Sequence, residues 1–84
     1  MEKLIFIVDD EQAISKLLSY WAKDKWKYQV ECFATAEDAL RNLSKKPDVI
    51  LLDIMLPGMD GIELIRILKQ NMVTSDIPVL CVPE

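Results

Sequence analysis

Four short apolar runs recur along the chain, and a longer segment with helical periodicity separates each from the next. The runs are KLIFIV (Lys3–Val8), YQVECF (Tyr28–Phe33), DVILLD (Asp48–Asp53) and IPVLCV (Ile77–Val82). Each is too short for a stable helix, and β-branched residues recur in all of them, so they read as strands. KLIFIV has no polar alternation, the pattern of a strand buried on both faces. The order is therefore βαβαβαβ. Strands that alternate with helices imply a parallel sheet with right-handed crossovers and helices on both faces.

The intervening segments support this order. Ile14, Leu17, Leu18 and Trp21 fall at i, i+3, i+4 and i+7, one face of a first helix, with Asp10 placed to cap its start. Thr35 followed by Asp38 is close to a capping box, and Ala36, Ala39, Leu40 and Leu43 supply the apolar stripe of a second helix that Pro47 ends. Asp60 with Glu63 repeats the capping pattern before a third helix, whose expected inner face is Ile62, Ile65, Leu68 and Met72. Pro78 sits at the entrance of the fourth strand, where a missing N–H does least harm.

Composition narrows the function. The 84 residues suit one small domain, residues 1–84, with 51% hydrophobic and 29% charged residues. A net charge of −4 without a basic cluster gives no support for direct nucleic-acid binding. The apolar runs are too short to span a bilayer, and the N-terminus lacks a secretory pattern, so the expected location is cytoplasmic and away from membranes. The two cysteines, Cys32 and Cys81, form no CxxC pair and read as two small buried apolar residues. The chain has no histidine, which removes every Ser–His and Cys–His nucleophile pair. Chemistry here rests on carboxylates, amines, hydroxyls or a metal.

Carboxylates are placed where chemistry is expected. In a parallel α/β sheet, ligands bind beyond the carboxyl ends of the strands. Asp9 and Asp10 follow the first strand and Asp53 closes the third. Taken singly, Asp10 has a lesser reading as a helix cap only and Asp9 as a solvated loop acid. Asp53 is too far from the next helix to cap it. If the first and third strands are neighbours, about 4.8 Å apart, all three acids converge. Like charges about 4 Å apart repel by roughly 4 kcal/mol at an effective dielectric of 20, so the members of such a cluster either raise one another's pKa values or recruit a cation. An all-oxygen set of this kind suits Mg²⁺, and EF-hand spacing is absent. A carboxylate beside Mg²⁺ can also attack phosphorus to give an aspartyl phosphate. Asp9 and Asp10 are then the metal holders and Asp53 the nucleophile, left accessible by the turn LPGMDG.

FIVDDE (Phe6–Glu11), DVILLDIMLPGMDGIEL (Asp48–Leu64) and IPVL (Ile77–Leu80) together resemble the receiver domain of two-component response regulators, a likeness that runs the length of the chain. The resemblance implies a CheY-like, flavodoxin-like doubly wound sheet with strands in the order 2-1-3-4. It implies that Asp53 is the phosphoacceptor and that Asp9 and Asp10 hold Mg²⁺. Met55 would give the metal its backbone carbonyl, and Pro57 and Gly58 would shape the turn. A histidine kinase would donate the phosphoryl group, and the chain would be a non-enzymatic module of a phosphorelay.

The sequence departs from that pattern in three places. The usual fifth strand and last two helices have no counterpart. The Thr or Ser expected after the fourth strand aligns with Pro83, and the Lys of the fifth strand is missing. The expectation is a shortened receiver that binds metal but does not switch. The alternative function is a fragment that folds and self-associates through an exposed fourth strand carrying Val79, Leu80 and Val82. In the order 2-1-3-4, Cys32 and Cys81 lie about 14 Å apart, too far for an intrachain disulfide.

Overall fold

The computed structural model describes residues 3–53 and 61–82. Met55, Pro57, Gly58, Asp60 and Pro83, each given a role above, lie outside the described residues. The elements follow the expected order. They are β1 (Leu4–Val8), α1 (Gln12–Lys25), β2 (Gln29–Phe33), α2 (Ala36–Arg41), a single 3-10 turn (Leu43–Lys45), β3 (Val49–Asp53), α3 (Gly61–Gln70) and β4 (Val79–Val82). The four strands form one parallel sheet in the order β2-β1-β3-β4.

Burial explains why β1 and β3 are central. Ile5, Phe6, Ile7 and Val8 are all 2% exposed or less, so β1 is apolar on both faces because both faces are covered. Phe6 and Val8 point with Ile50 and Leu52 into a core closed by Ala36 and Ala39 of α2 and Leu64 and Leu68 of α3. Ile5 and Ile7 point the other way, to Ala22 and Leu18 of α1. Phe6 also meets Phe33 of β2 edge-on, with ring centroids 4.7 Å apart.

Two helix faces differ from the expectation. On α1 the residues turned to the sheet are Ser15, Leu18 and Ala22, while Leu17 is 59% and Trp21 51% exposed. Spacing alone could not separate two overlapping stripes. Ser15 and Ala22 are small, which lets the helix lie close to the strands. On α3 the buried residues are Gly61, Leu64 and Leu68, with Ile65 packed beside them. Ile62 stays exposed, and Met72 lies past the helix end. The second helix keeps Ala36, Ala39 and Leu40 of its expected stripe, while Leu43 packs against the same core from the 3-10 turn that follows. Thr35 accepts a hydrogen bond from the Asp38 N–H at 3.1 Å, which caps α2. Pro78 enters β4 with its carbonyl accepting from the Ile50 N–H at 3.0 Å.

β4 is an edge strand, with Leu80 56% exposed and Val79 half-buried. Cys32 and Cys81 are free and sit on the two outer strands, β2 and β4. Burial pushes the Cys32 thiol above its ordinary value, against the pull of the Lys23 charge and a Ser19 hydrogen bond. Both cysteines are nonetheless exposed, because they lie on the two outer strands, so the expected pair of small buried residues is not found. No helix among the described residues is long and apolar enough to cross a membrane.

Candidate metal and phosphoacceptor site

Sheet order brings the three acids together. β1 pairs directly with β3 in register Val8 to Leu52, so the next residues, Asp9 and Asp53, emerge side by side at the same edge. Asp10 follows Asp9, and one carboxylate oxygen from each of Asp9, Asp10 and Asp53 lies within 4.8 Å of the others. Each strand fixes its acid by the burial of the apolar run before it.

The three differ in environment. Asp9 is 4% exposed and Asp53 1%, as little as the core isoleucines, while Asp10 is exposed. The sequence places Asp53 at a strand tip, left accessible by the turn that follows it. It is buried instead: it is still part of β3, in register with Val82 of β4 on one side and beside Asp9, just past the end of β1, on the other. Asp10 is thus the member of the cluster that faces solvent.

Asp9 carries a second task. Its Oδ1 accepts from the Glu11 N–H at 2.8 Å, and its own N–H donates to the Phe33 carbonyl at 3.0 Å. Asp10 was expected to cap α1. The helix begins at Gln12, which makes Glu11 the residue at the cap position, and no side chain there makes a cap bond. Asp9 supplies the side-chain turn into the helix instead.

Electrostatically the site is incomplete by itself. The Asp9 Oδ2 atom is buried with no hydrogen-bond partner among the described residues. Burial pushes the Asp9 carboxyl above its ordinary value. The Glu11 N–H opposes that rise, and the charges of Asp53 and Asp10 add to it. A buried, unpartnered carboxylate oxygen beside two more carboxylates is costly without a cation. Three oxygen donors of this kind fit a hard divalent ion such as Mg²⁺.

With this geometry in view, the comparisons with known proteins are decisive. The sequence pattern of the response regulator receiver domain matches residues 5–83. The chain belongs to that family.

This receiver domain is 41% identical over 81 residues to the alkaline phosphatase synthesis transcriptional regulatory protein PhoP of Bacillus subtilis (strain 168). The match covers 95% of this chain and 33% of that protein. It is also 41% identical to the phosphate regulon transcriptional regulatory protein PhoB of Pseudomonas aeruginosa, over 93% of this chain and 34% of the relative. The receiver thus spans about a third of the length of these relatives. Among solved structures, it is similar to the N-terminal domain of a response regulator receiver protein from Methanoculleus marisnigri JR1. The TM-score is 0.85 at 34% identity, covering 93% of this chain and 63% of that one. It is likewise similar to the Vibrio cholerae chemotaxis protein CheY4. That TM-score is 0.88 at 28% identity, covering 96% and 68% of the two chains. The order β2-β1-β3-β4 is the flavodoxin-like arrangement that the sequence motifs implied.

One residue of the site region escaped the sequence reading. Ser15 is buried on the sheet-facing side of α1, and its hydroxyl donates to the Asp9 carbonyl at 3.4 Å. The available signal was a polar residue at i relative to Leu18 and Ala22 at i+3 and i+7. The competing stripe through Leu17 and Trp21 concealed it.

Proposed function

We propose that this receiver domain is the phosphoacceptor module of a two-component phosphorelay, with Asp53 as the acceptor and Asp9 and Asp10 as holders of Mg²⁺. The observation that carries the reading is the convergence of three carboxylates within 4.8 Å at the carboxyl edge of β1 and β3, one of them with a buried, unpartnered oxygen. The proposed metal set also includes Asp53 itself and Met55 through its backbone carbonyl.

In the proposed step, a carboxylate oxygen of Asp53 attacks the phosphorus of a phosphohistidine. The new O–P bond forms as the P–N bond breaks, and the imidazole nitrogen leaves with its electron pair. The proposed donor is a sensor histidine kinase carrying the phosphohistidine, which is consistent with the absence of histidine from these 84 residues. When bound, Mg²⁺ supplies neutralising charge to the phosphoryl oxygens. Asp9 and Asp10 contribute the negative charge that holds the ion, and β3 contributes a rigid mount for Asp53. Each chain accepts one phosphoryl group and is consumed in doing so, which makes it an acceptor rather than an enzyme with turnover. The proposed location is cytoplasmic. The relatives PhoP and PhoB are named transcriptional regulatory proteins, but this chain's charge of −4 favours no direct contact with nucleic acid.

The test is intact mass after incubation with Mg²⁺ and a small acyl phosphate. One phosphoryl group per chain, lost in Asp53→Asn and lost on chelation of the metal, supports the reading. An unchanged mass in folded, Mg²⁺-bound protein refutes it.

A second reading concerns self-association. It is favoured by the edge position of β4 and the 56% exposure of Leu80. Sedimentation at high concentration tests it: a dimer supports pairing through β4, and a clean monomer removes it.

A further inference from the structure

The buried face of α1 holds one polar side chain where an apolar one would pack. Ser15 is 7% exposed and lies in line with Leu18 and Ala22 against the sheet. Serine in a helix ordinarily returns its hydroxyl to the carbonyl four residues back. Here the carbonyl of Glu11 takes the Ser15 N–H at 3.1 Å, as in any helix, while the hydroxyl reaches past it to the Asp9 carbonyl. The bond therefore joins the first turn of α1 to the residue that ends β1.

That contact completes a three-point hold on Asp9. The Asp9 N–H is fixed by the Phe33 carbonyl of β2, its carbonyl by Ser15 of α1, and its Oδ1 by the Glu11 N–H. With those groups engaged, Oδ2 is left as the oxygen without a partner, on a carboxylate that has an oxygen within 4.8 Å of oxygens of Asp10 and Asp53. The Cys32 thiol in turn donates to the Ser15 carbonyl at 4.0 Å, which ties the same helix turn to β2.

We infer that Ser15 is a positioning residue for the metal site. Its hydroxyl anchors the main chain of Asp9 so that the Asp9 carboxylate stays beside those of Asp10 and Asp53. This rests on the proposed Mg²⁺ role of Asp9 and adds a residue that touches neither metal nor phosphate. Partners that orient a metal ligand commonly change affinity when removed. A single neutral contact to the backbone places Ser15 at the low end of that range.

The decisive measurement is Mg²⁺ binding by calorimetry on wild type, Ser15→Ala and Ser15→Thr, with thermal melting of each metal-free protein. Ser15→Ala is expected to weaken Mg²⁺ binding roughly three- to tenfold. Its metal-free melting temperature should be equal or higher, because alanine is the better helix former. Ser15→Thr keeps the hydroxyl and should restore the affinity. A merely structural serine would move the melting temperature and leave the affinity alone. Equal Mg²⁺ affinity in wild type and Ser15→Ala overturns the inference and leaves the metal reading standing. A wild-type protein that binds no Mg²⁺ overturns both.

Discussion

The bodies and the tips of β1 and β3 are buried alike and built from opposite chemistry. In the body, Phe6 and Leu52 are fully buried among other apolar side chains. Three residues beyond Phe6 and one beyond Leu52, Asp9 and Asp53 are 4% and 1% exposed and crowd a third carboxylate. Burial of the body stabilises the fold, and the same burial makes the tip unfavourable until a cation arrives. The contrast teaches that a small sheet can spend stability at its carboxyl edge only because its interior is closed on both faces.

Substitutions in the two regions should therefore differ in sign. The largest effect is expected in the body. Phe6→Ala removes a fully buried ring and its edge contact with Phe33, at a cost of about 3–5 kcal/mol in chemical denaturation. Much of the stability of a domain this size would go with it. A loss below about 1 kcal/mol would break the comparison.

At the tip, ligand should matter more than packing. Mg²⁺ at about 100 times its dissociation constant should raise wild-type stability by about 2.7 kcal/mol. Asp9→Asn should abolish that gain. In the absence of metal the same variant should be more stable than wild type at pH 7, on the order of 1 kcal/mol, because the asparagine oxygen can still accept from Glu11 without the charge. That corresponds to roughly 4–8 °C in melting temperature. A destabilised metal-free Asp9→Asn would show that the tip is held together by its charge rather than strained by it.

The pH dependence follows from the same group. Folding raises the Asp9 carboxyl above its ordinary value, so the folded state holds that proton more tightly than the unfolded chain. Its contribution to stability is fully present below the unfolded value and is lost as pH rises through the folded one. Metal-free wild type should thus gain stability, relative to Asp9→Asn, as pH falls from neutrality through that window. Saturating Mg²⁺ should remove the gain. Parallel pH profiles for the two metal-free proteins would exclude Asp9 as its source.

The smallest effect should lie on the edge strand. Leu80→Ala on β4 removes a side chain that is 56% exposed and should cost less than about 1 kcal/mol. A cost matching that of Phe6→Ala would mean that Leu80 is covered in solution.

Much of this contrast was legible in the sequence. The apolar run KLIFIV announced a strand covered on both faces, and "VDD" and "LLD" placed acids at strand ends. Helix faces were less legible. On α1 the stripes through Leu17 and Trp21 and through Ser15 and Ala22 overlap at Leu18, and only tertiary packing selects the second. The burial of Asp53 was hidden for a related reason. A strand's last residue looks like the start of a loop until its neighbours on both sides are known, and here they are β1 and β4. The capping role of Asp9 was missed because Asp9 and Asp10 are adjacent and chemically identical. A shift of one residue in the helix start transfers the task from one to the other.

The central claim is that Asp53, the most buried of the three acids, is the one that becomes phosphorylated. An acyl phosphate can be reduced by borohydride, which converts the modified carboxyl to an alcohol and leaves a permanent mark. Phosphorylating the chain with a small acyl phosphate and Mg²⁺, trapping it this way and sequencing its peptides by mass spectrometry reads the site directly. The account predicts the mark at Asp53 and at neither Asp9 nor Asp10. A mark at Asp9 or Asp10 with Asp53 untouched would contradict it.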